Sequence, residues 1–131
     1  MDETGKVLFT IDPVQHLVTL AFKAPGADDK EHLAMAKYVK QWYENLKTEY
    51  PDAHFKVLVD LSNAGIPNKG ATDIYTATLS DKQIERTAIY GVAGTIKSII
   101  NFIVSASCKG DRVQFFIDKN KAMEWLKNPQ L

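Results

Sequence analysis

The chain has 131 residues, a single cysteine, and 16 Lys plus Arg balanced by 16 Asp plus Glu. That length suits one domain, 1–131, with its own core, and zero formal charge gives no field to draw in nucleic acid or an anionic membrane. One cysteine, Cys108, excludes an internal disulfide and fits a reducing compartment.

The opening "MDETGKVLFTID" has no basic region followed by an apolar run, and the richest apolar stretch, "IINFIV" at 99–104, is far short of a bilayer span. A cytoplasmic protein without stable membrane insertion is expected. Two β-like runs, "KVLFTI" at 6–11 and "HLVTLAF" at 16–22, flank the turn-favouring pair Asp12-Pro13 and predict a hairpin. Pro25 and Gly26 break the second run, and Asp28 with Glu31 three residues on has the form of a capping box. Leu33, Ala36, Val39, Tyr43, Leu46 and Tyr50 then recur at helical steps until Pro51 stops them. Trp42 sits at the edge of that stripe, where a place in the core is expected.

"FKVLVDL" at 55–61 reads as a buried strand, "GIPNKGAT" at 65–72 as a loop, and "ATDIYTATL" as a helix with Ala71, Ile74, Tyr75 and Thr78 on one face. "TAIYGV" at 87–92 is the next strand, followed by a helix over 95–107 that Thr95 would cap. "RVQFFI" at 112–117 is the last strand, and Asp118 would cap a final helix with Ala122, Trp125 and Leu126 on one side. The order β-β-α-β-α-β-α-β-α predicts an α/β domain: a single-layer, five-stranded mixed sheet flanked by helices. Val57, Leu58, Val59, Ile89 and Val92 are expected to be buried, since inner strands covered on both faces read as continuous apolar runs.

This succession resembles the STAS fold of bacterial anti-sigma-factor antagonists, in particular the SpoIIAA-like branch that is also compared with SEC14-type lipid-binding domains. "VLVDL" at 57–61 is similar to the family's central strand ending in an aspartate, "AIYGV" at 88–92 to the next strand, and "VQFFIDKNKAMEWL" at 113–126 to its ending. The likeness covers about the last 75 residues by sequence pattern and the first half by element order. It implies a regulatory or protein-interaction module. Members carry Asp-Ser-Ser/Thr-Gly at the start of the helix after the central strand, and the first serine is phosphorylated. Anchored on Gly70, those positions are Pro67, Asn68, Lys69 and Gly70, so the phosphorylated hydroxyl is absent.

"GIPNKGAT" also matches the phosphate-binding pattern G-x-x-x-x-G-K-[S/T] at Gly65, Gly70 and Thr72, with Ala71 in place of the lysine. Without that cation the transferred phosphoryl group loses its usual stabilisation, and a turn that starts a helix explains the glycine and proline equally well. Nucleotide hydrolysis is therefore not expected. Asp60 as a strand-end carboxylate more often caps a turn than acts as a base. His16, His32 and His54 lack metal-ligand spacing, and Cys108 lacks a histidine partner by spacing. No catalytic set, metal or cofactor is assigned.

Two readings remain. The first is a non-catalytic interaction module that meets a protein partner through the strand-end loops, with Asp60, Ser62, Asn63, Asn68, Lys69, Thr72 and Thr95 as contact residues. The alternative is a carrier of an apolar, lipid-like small molecule, or a small enzyme, in which the helix around Ile99–Val104 lines a cavity and Asp60, Lys69 or Thr95 orients a polar group. The same broad apolar arc predicts a homodimer.

Overall fold

The computed structural model describes residues 5–63, 68–91 and 112–127. Within them β1 (Val7–Asp12), β2 (Leu17–Phe22), β3 (Phe55–Asp60), β4 (Ile84–Tyr90) and β5 (Val113–Phe116) form one sheet in the order β1-β2-β3-β4-β5. The first pair is antiparallel and the other three are parallel, which is the expected mixed sheet. α1 (Asp29–Glu49) joins β2 to β3, α2 (Lys69–Leu79) joins β3 to β4, and α3 (Lys119–Lys127) follows β5. The expected helix at 95–107, its Thr95 cap, Val92 and Cys108 lie outside the described residues.

The strand order advances without reversing, so crossovers of one hand place α1 and α2 on the same face. There Val57 and Val59 of β3 pack with Val18, Leu20, Ile89, Met35, Val39, Tyr43 and Leu46, and Tyr75 and Leu79 of α2 close over them. The opposite face of β3 presents Leu58, which packs with Ala88 and with Ala122, Trp125 and Leu126 of α3. Val57, Leu58, Val59 and Ile89 are all buried, as an inner strand covered on both faces requires.

Trp42 stacks on Phe9, ring centroids 4.6 Å apart, so it joins the core and is not left as a free apolar surface. α1 ends at Glu49 because the residue before Pro51 is driven out of the helical region, and Tyr50 has φ −127°. Asp28 accepts from the Glu31 N–H at 2.8 Å, as a capping box demands, but Glu31 reaches back to the Ala27 N–H, one residue earlier than the motif implies. Glu31 also pairs with Lys6, tying the start of β1 to that of α1.

Two boundaries and one helix face differ from the sequence pattern. β4 begins at Ile84, three residues early, because Glu85 is the extra residue of a bulge opposite Phe55 and Lys56 and so breaks the alternation. The buried face of α2 is Ala71 and Thr72, with Tyr75 and Leu79 packed on the core, so it is turned toward Thr72 and away from Ile74 and Thr78. Ile117 lies beyond the end of β5 and is 91% exposed.

Asp81, in the turn after α2, anchors the far end of this face. It accepts from the Tyr43 hydroxyl at 3.0 Å, from Lys47 Nζ at 2.9 Å and from the Gln83 N–H at 2.9 Å. Burial raises its carboxyl, but these donors outweigh that and hold it below the ordinary value of 3.8. A carboxyl depressed by folding adds stability that is complete above its ordinary value and is lost as acid titrates it through the folded one. Acid unfolding should therefore be steeper between pH 5 and pH 3 in the parent than in Asp81→Asn, as urea midpoints across that range would show. Leu58→Ala should cost about 2–5 kcal/mol, read from the same denaturation curves at neutral pH.

Candidate functional site

At the carboxyl end of β3 the chain must leave the sheet, and Asp60 organises the exit. One of its carboxylate oxygens accepts from the Ser62 N–H at 2.9 Å, closing a turn of the kind that aspartate favours. Across the parallel pair Asp60 is in register with Tyr90, the last residue of β4, whose hydroxyl donates to the same carboxylate. The Leu61 N–H donates to the Tyr90 carbonyl at 3.0 Å and extends the pairing one residue past the strand.

Gly91 completes the contact. It has φ +81°, and a Cβ there would lie 2.3 Å from Ser62 Oγ and 2.8 Å from the Ser62 backbone nitrogen. Both the conformation and the space thus require glycine. The ends of β3 and β4 are locked against each other, and Ser62 and Asn63 are held exposed above them.

Burial raises the Asp60 carboxyl, but hydrogen bonds from the Ser62 hydroxyl, the Ser62 N–H and the Tyr90 hydroxyl, with the charge of Lys23, outweigh it and leave the group below its ordinary range. The Tyr90 hydroxyl is pushed up to about 12 by burial and by the negative Asp60 beside it. Near neutral pH the pair is a carboxylate and a neutral phenol. A general base working near pH 7 needs the opposite tuning, a raised carboxyl with a free lone pair aimed outward.

The start of α2 corrects the expectation for three residues. Asn68 is the N-cap: its Oδ1 accepts from the Ala71 N–H at 2.8 Å, and its Nδ2 donates to the Asp29 carbonyl at 3.1 Å. Its amide is therefore spent on joining the first turns of α2 and α1. Thr72 is only 6% exposed, so it is part of the core side of α2 and not a contact residue. Gly70 lies inside the helix with no positive φ, and a Cβ there would meet Leu33 at an ordinary 3.4 Å.

The phosphate-cradle reading thus loses its residues one by one. A hydroxyl that should reach a metal ion faces inward at Thr72, and the glycine that should bend the loop is an ordinary helical residue. Lys69 is exposed and forms an i,i+4 ion pair with Asp73 at 2.9 Å. Gly65 and Pro67 lie outside the described residues, as do Thr95 and the apolar arc at 96–104 on which the carrier and homodimer readings rest.

The structure brings together Asp60, Ser62, Tyr90 and Gly91, with the charge of Lys23 acting on them. Sequence reasoning placed Gly91 at the start of a strand-end contact loop but did not single out Tyr90 or Lys23. The only signal was positional, since each follows or ends a strand that parallel pairing aligns with β3. Among the described residues no group of three His, Cys, Asp or Glu side chains could hold a metal ion, and no helix is long and apolar enough to cross a membrane.

No protein-family model matches the chain, and no curated protein matches it. Among solved structures it is similar to an uncharacterised protein of the DUF3478 family with a SpoIIAA-like fold, from Shewanella loihica PV-4. The two superpose with a TM-score of 0.62 over 92% of this chain and 93% of that one, at 16% identity. The fold is SpoIIAA-like. Likeness at that identity concerns the fold alone and carries no activity with it.

Tyr90→Phe should raise the Asp60 pKa toward its ordinary value, because a donor to the ionised form is removed while the burial remains. Carboxyl carbon shifts followed by NMR through a pH titration measure this, and an unchanged Asp60 midpoint would contradict the geometry. Gly91→Ala should destabilise the fold by more than about 1 kcal/mol, since an alanine is strained at this φ and collides with the Ser62 backbone.

Proposed function

We propose that the chain is a non-catalytic interaction module that meets a protein partner at the carboxyl ends of β2, β3 and β4. The observation that carries this reading is the use to which Asp60 is put. Its carboxylate is held ionised by internal donors and fixes the Ser62 turn, which suits a rigid presenting surface and not proton transfer. Around it Lys23, Ser62, Asn63 and Lys69 are exposed. Lys69 is held by a surface ion pair worth only about 0.3–0.5 kcal/mol, so a partner's carboxylate can replace Asp73 at little cost. A pre-formed turn loses little entropy on binding, which favours recognition by a fixed surface.

The SpoIIAA-like fold is compatible with such a role, but the family's switch does not transfer, because Asn68 stands at the acceptor position and caps α2. Regulation by phosphorylation there is excluded on chemical grounds.

A photo-crosslinking residue placed at Asn63 should capture one polypeptide in cells, while the same residue at Lys37, on the exposed side of α1, should not. Lys23→Glu and Lys69→Glu should each weaken the capture with the thermal midpoint moved by no more than a few degrees, because an exposed charge contributes under about 1 kcal/mol. Equal labelling from both positions, or magnesium-dependent binding of ATP in a calorimeter, would overturn the reading.

A further inference from the structure

At the end of the sheet opposite Asp60, a cavity of about 340 Å³ opens between the amino ends of β2 and β3 and the last turn of α3. Its lining is Gln15, Leu17, Lys56, Met123, Leu126 and Lys127. Leu17 and Lys56 are register partners across the parallel pair, so they stand side by side on the face that α3 covers. Leu126 is buried and Leu17 and Met123 are half-buried, which makes the floor apolar. Two amines and one amide complete the wall. Neither Lys56 nor Lys127 forms an ion pair among the described residues, and Glu124, three residues before Lys127, is not within ion-pair distance of it.

A concave apolar floor with a few convergent polar groups is the usual form of a small-molecule site, and this cavity is at the lower end of the usual size range. Two cations lining one hollow repel each other, and an anion between them reverses that term.

We propose that this cavity binds a small organic anion: an acid group between Lys56 and Lys127, with a short apolar body on Leu17, Met123 and Leu126. Gln15 supplies an amide donor to the same acid group. The site shares no residue with the surface around Ser62, so either assignment can fail without the other.

The test is NMR titration of the isotope-labelled full chain with hexyl phosphate, beside inorganic phosphate and hexanol as separate probes. Hexyl phosphate should shift the amide resonances of Leu17, Lys56 and Leu126 to saturation, and each half-ligand should bind about tenfold or more weakly, as it makes only one kind of contact. Lys56→Gln and Lys127→Gln should each lower the affinity about two- to fivefold, the range of an exposed charge pair, and added salt should lower it further. Lys127 is exposed and Lys56 half-buried at the wall, and glutamine keeps most of each side chain's length, so resonances elsewhere should not move in the variants. Absence of saturable shifts, shifts that survive both substitutions, or shifts centred on Ser62 and Tyr90 would overturn the proposal. Anionic phospholipid vesicles offer the same chemistry as a headgroup, and they should leave the chain in the supernatant on sedimentation. Lysine-dependent co-sedimentation would overturn the assignment to a free small anion.

Discussion

Burial of β3 on both faces is the constraint on which the other elements depend. An apolar strand with Val57 and Val59 on one side and Leu58 on the other cannot end a sheet or face water, so it needs a paired strand at each edge and a helix on each face. Parallel pairing to β2 and β4 supplies the first, and it forces long crossovers that become α1 and α2. The hand of those crossovers sends both helices to one face, which leaves α3 to cover Leu58 from the other.

The same arrangement decides where polar side chains can act. Strand ends are the places where backbone donors run out of partners, and here Asp60 fills that need for the turn after β3. Its neighbours then follow from register. Tyr90 is opposite because β4 is parallel and in step, and Gly91 is next to Ser62 because the pairing continues one residue beyond the strand. The doubly wound sheets that bind nucleotides have a crevice where the strand order reverses. This sheet does not reverse among the described strands, and at its carboxyl edge the ends of β3 and β4 are held together through Asp60, Ser62, Tyr90 and Gly91.

The two ends of the sheet differ in kind for a related reason. At the carboxyl end the Asp60 carboxylate takes up the Ser62 N–H and the Ser62 and Tyr90 hydroxyls. At the amino end a cavity beside the last turn of α3 is lined by lysines and a glutamine with an apolar floor. This contrast is not a property of composition, since the chain as a whole is electrically balanced.

Periodicity by itself determined the class and most of the elements: the hairpin across Asp12-Pro13, the long stripe of α1, the apolar run of β3 and the capped last helix are all local patterns that local physics reads out. The resemblance to the STAS antagonists, not periodicity, implied that the acceptor hydroxyl is missing at position 68. Neither could show that Asn68 is occupied as a cap between two helices, that Thr72 points inward, or that Glu85 is the bulged residue that hides the start of β4. Those facts depend on how α2 is rotated against the sheet and on the register of β3 with β4, and both are set by contacts between residues far apart in the chain. The meeting of Asp60 with Tyr90 and of Leu17 with Lys56 has the same origin. Parallel strands bring together residues about thirty to forty positions apart, and no short window of sequence contains both members of such a pair.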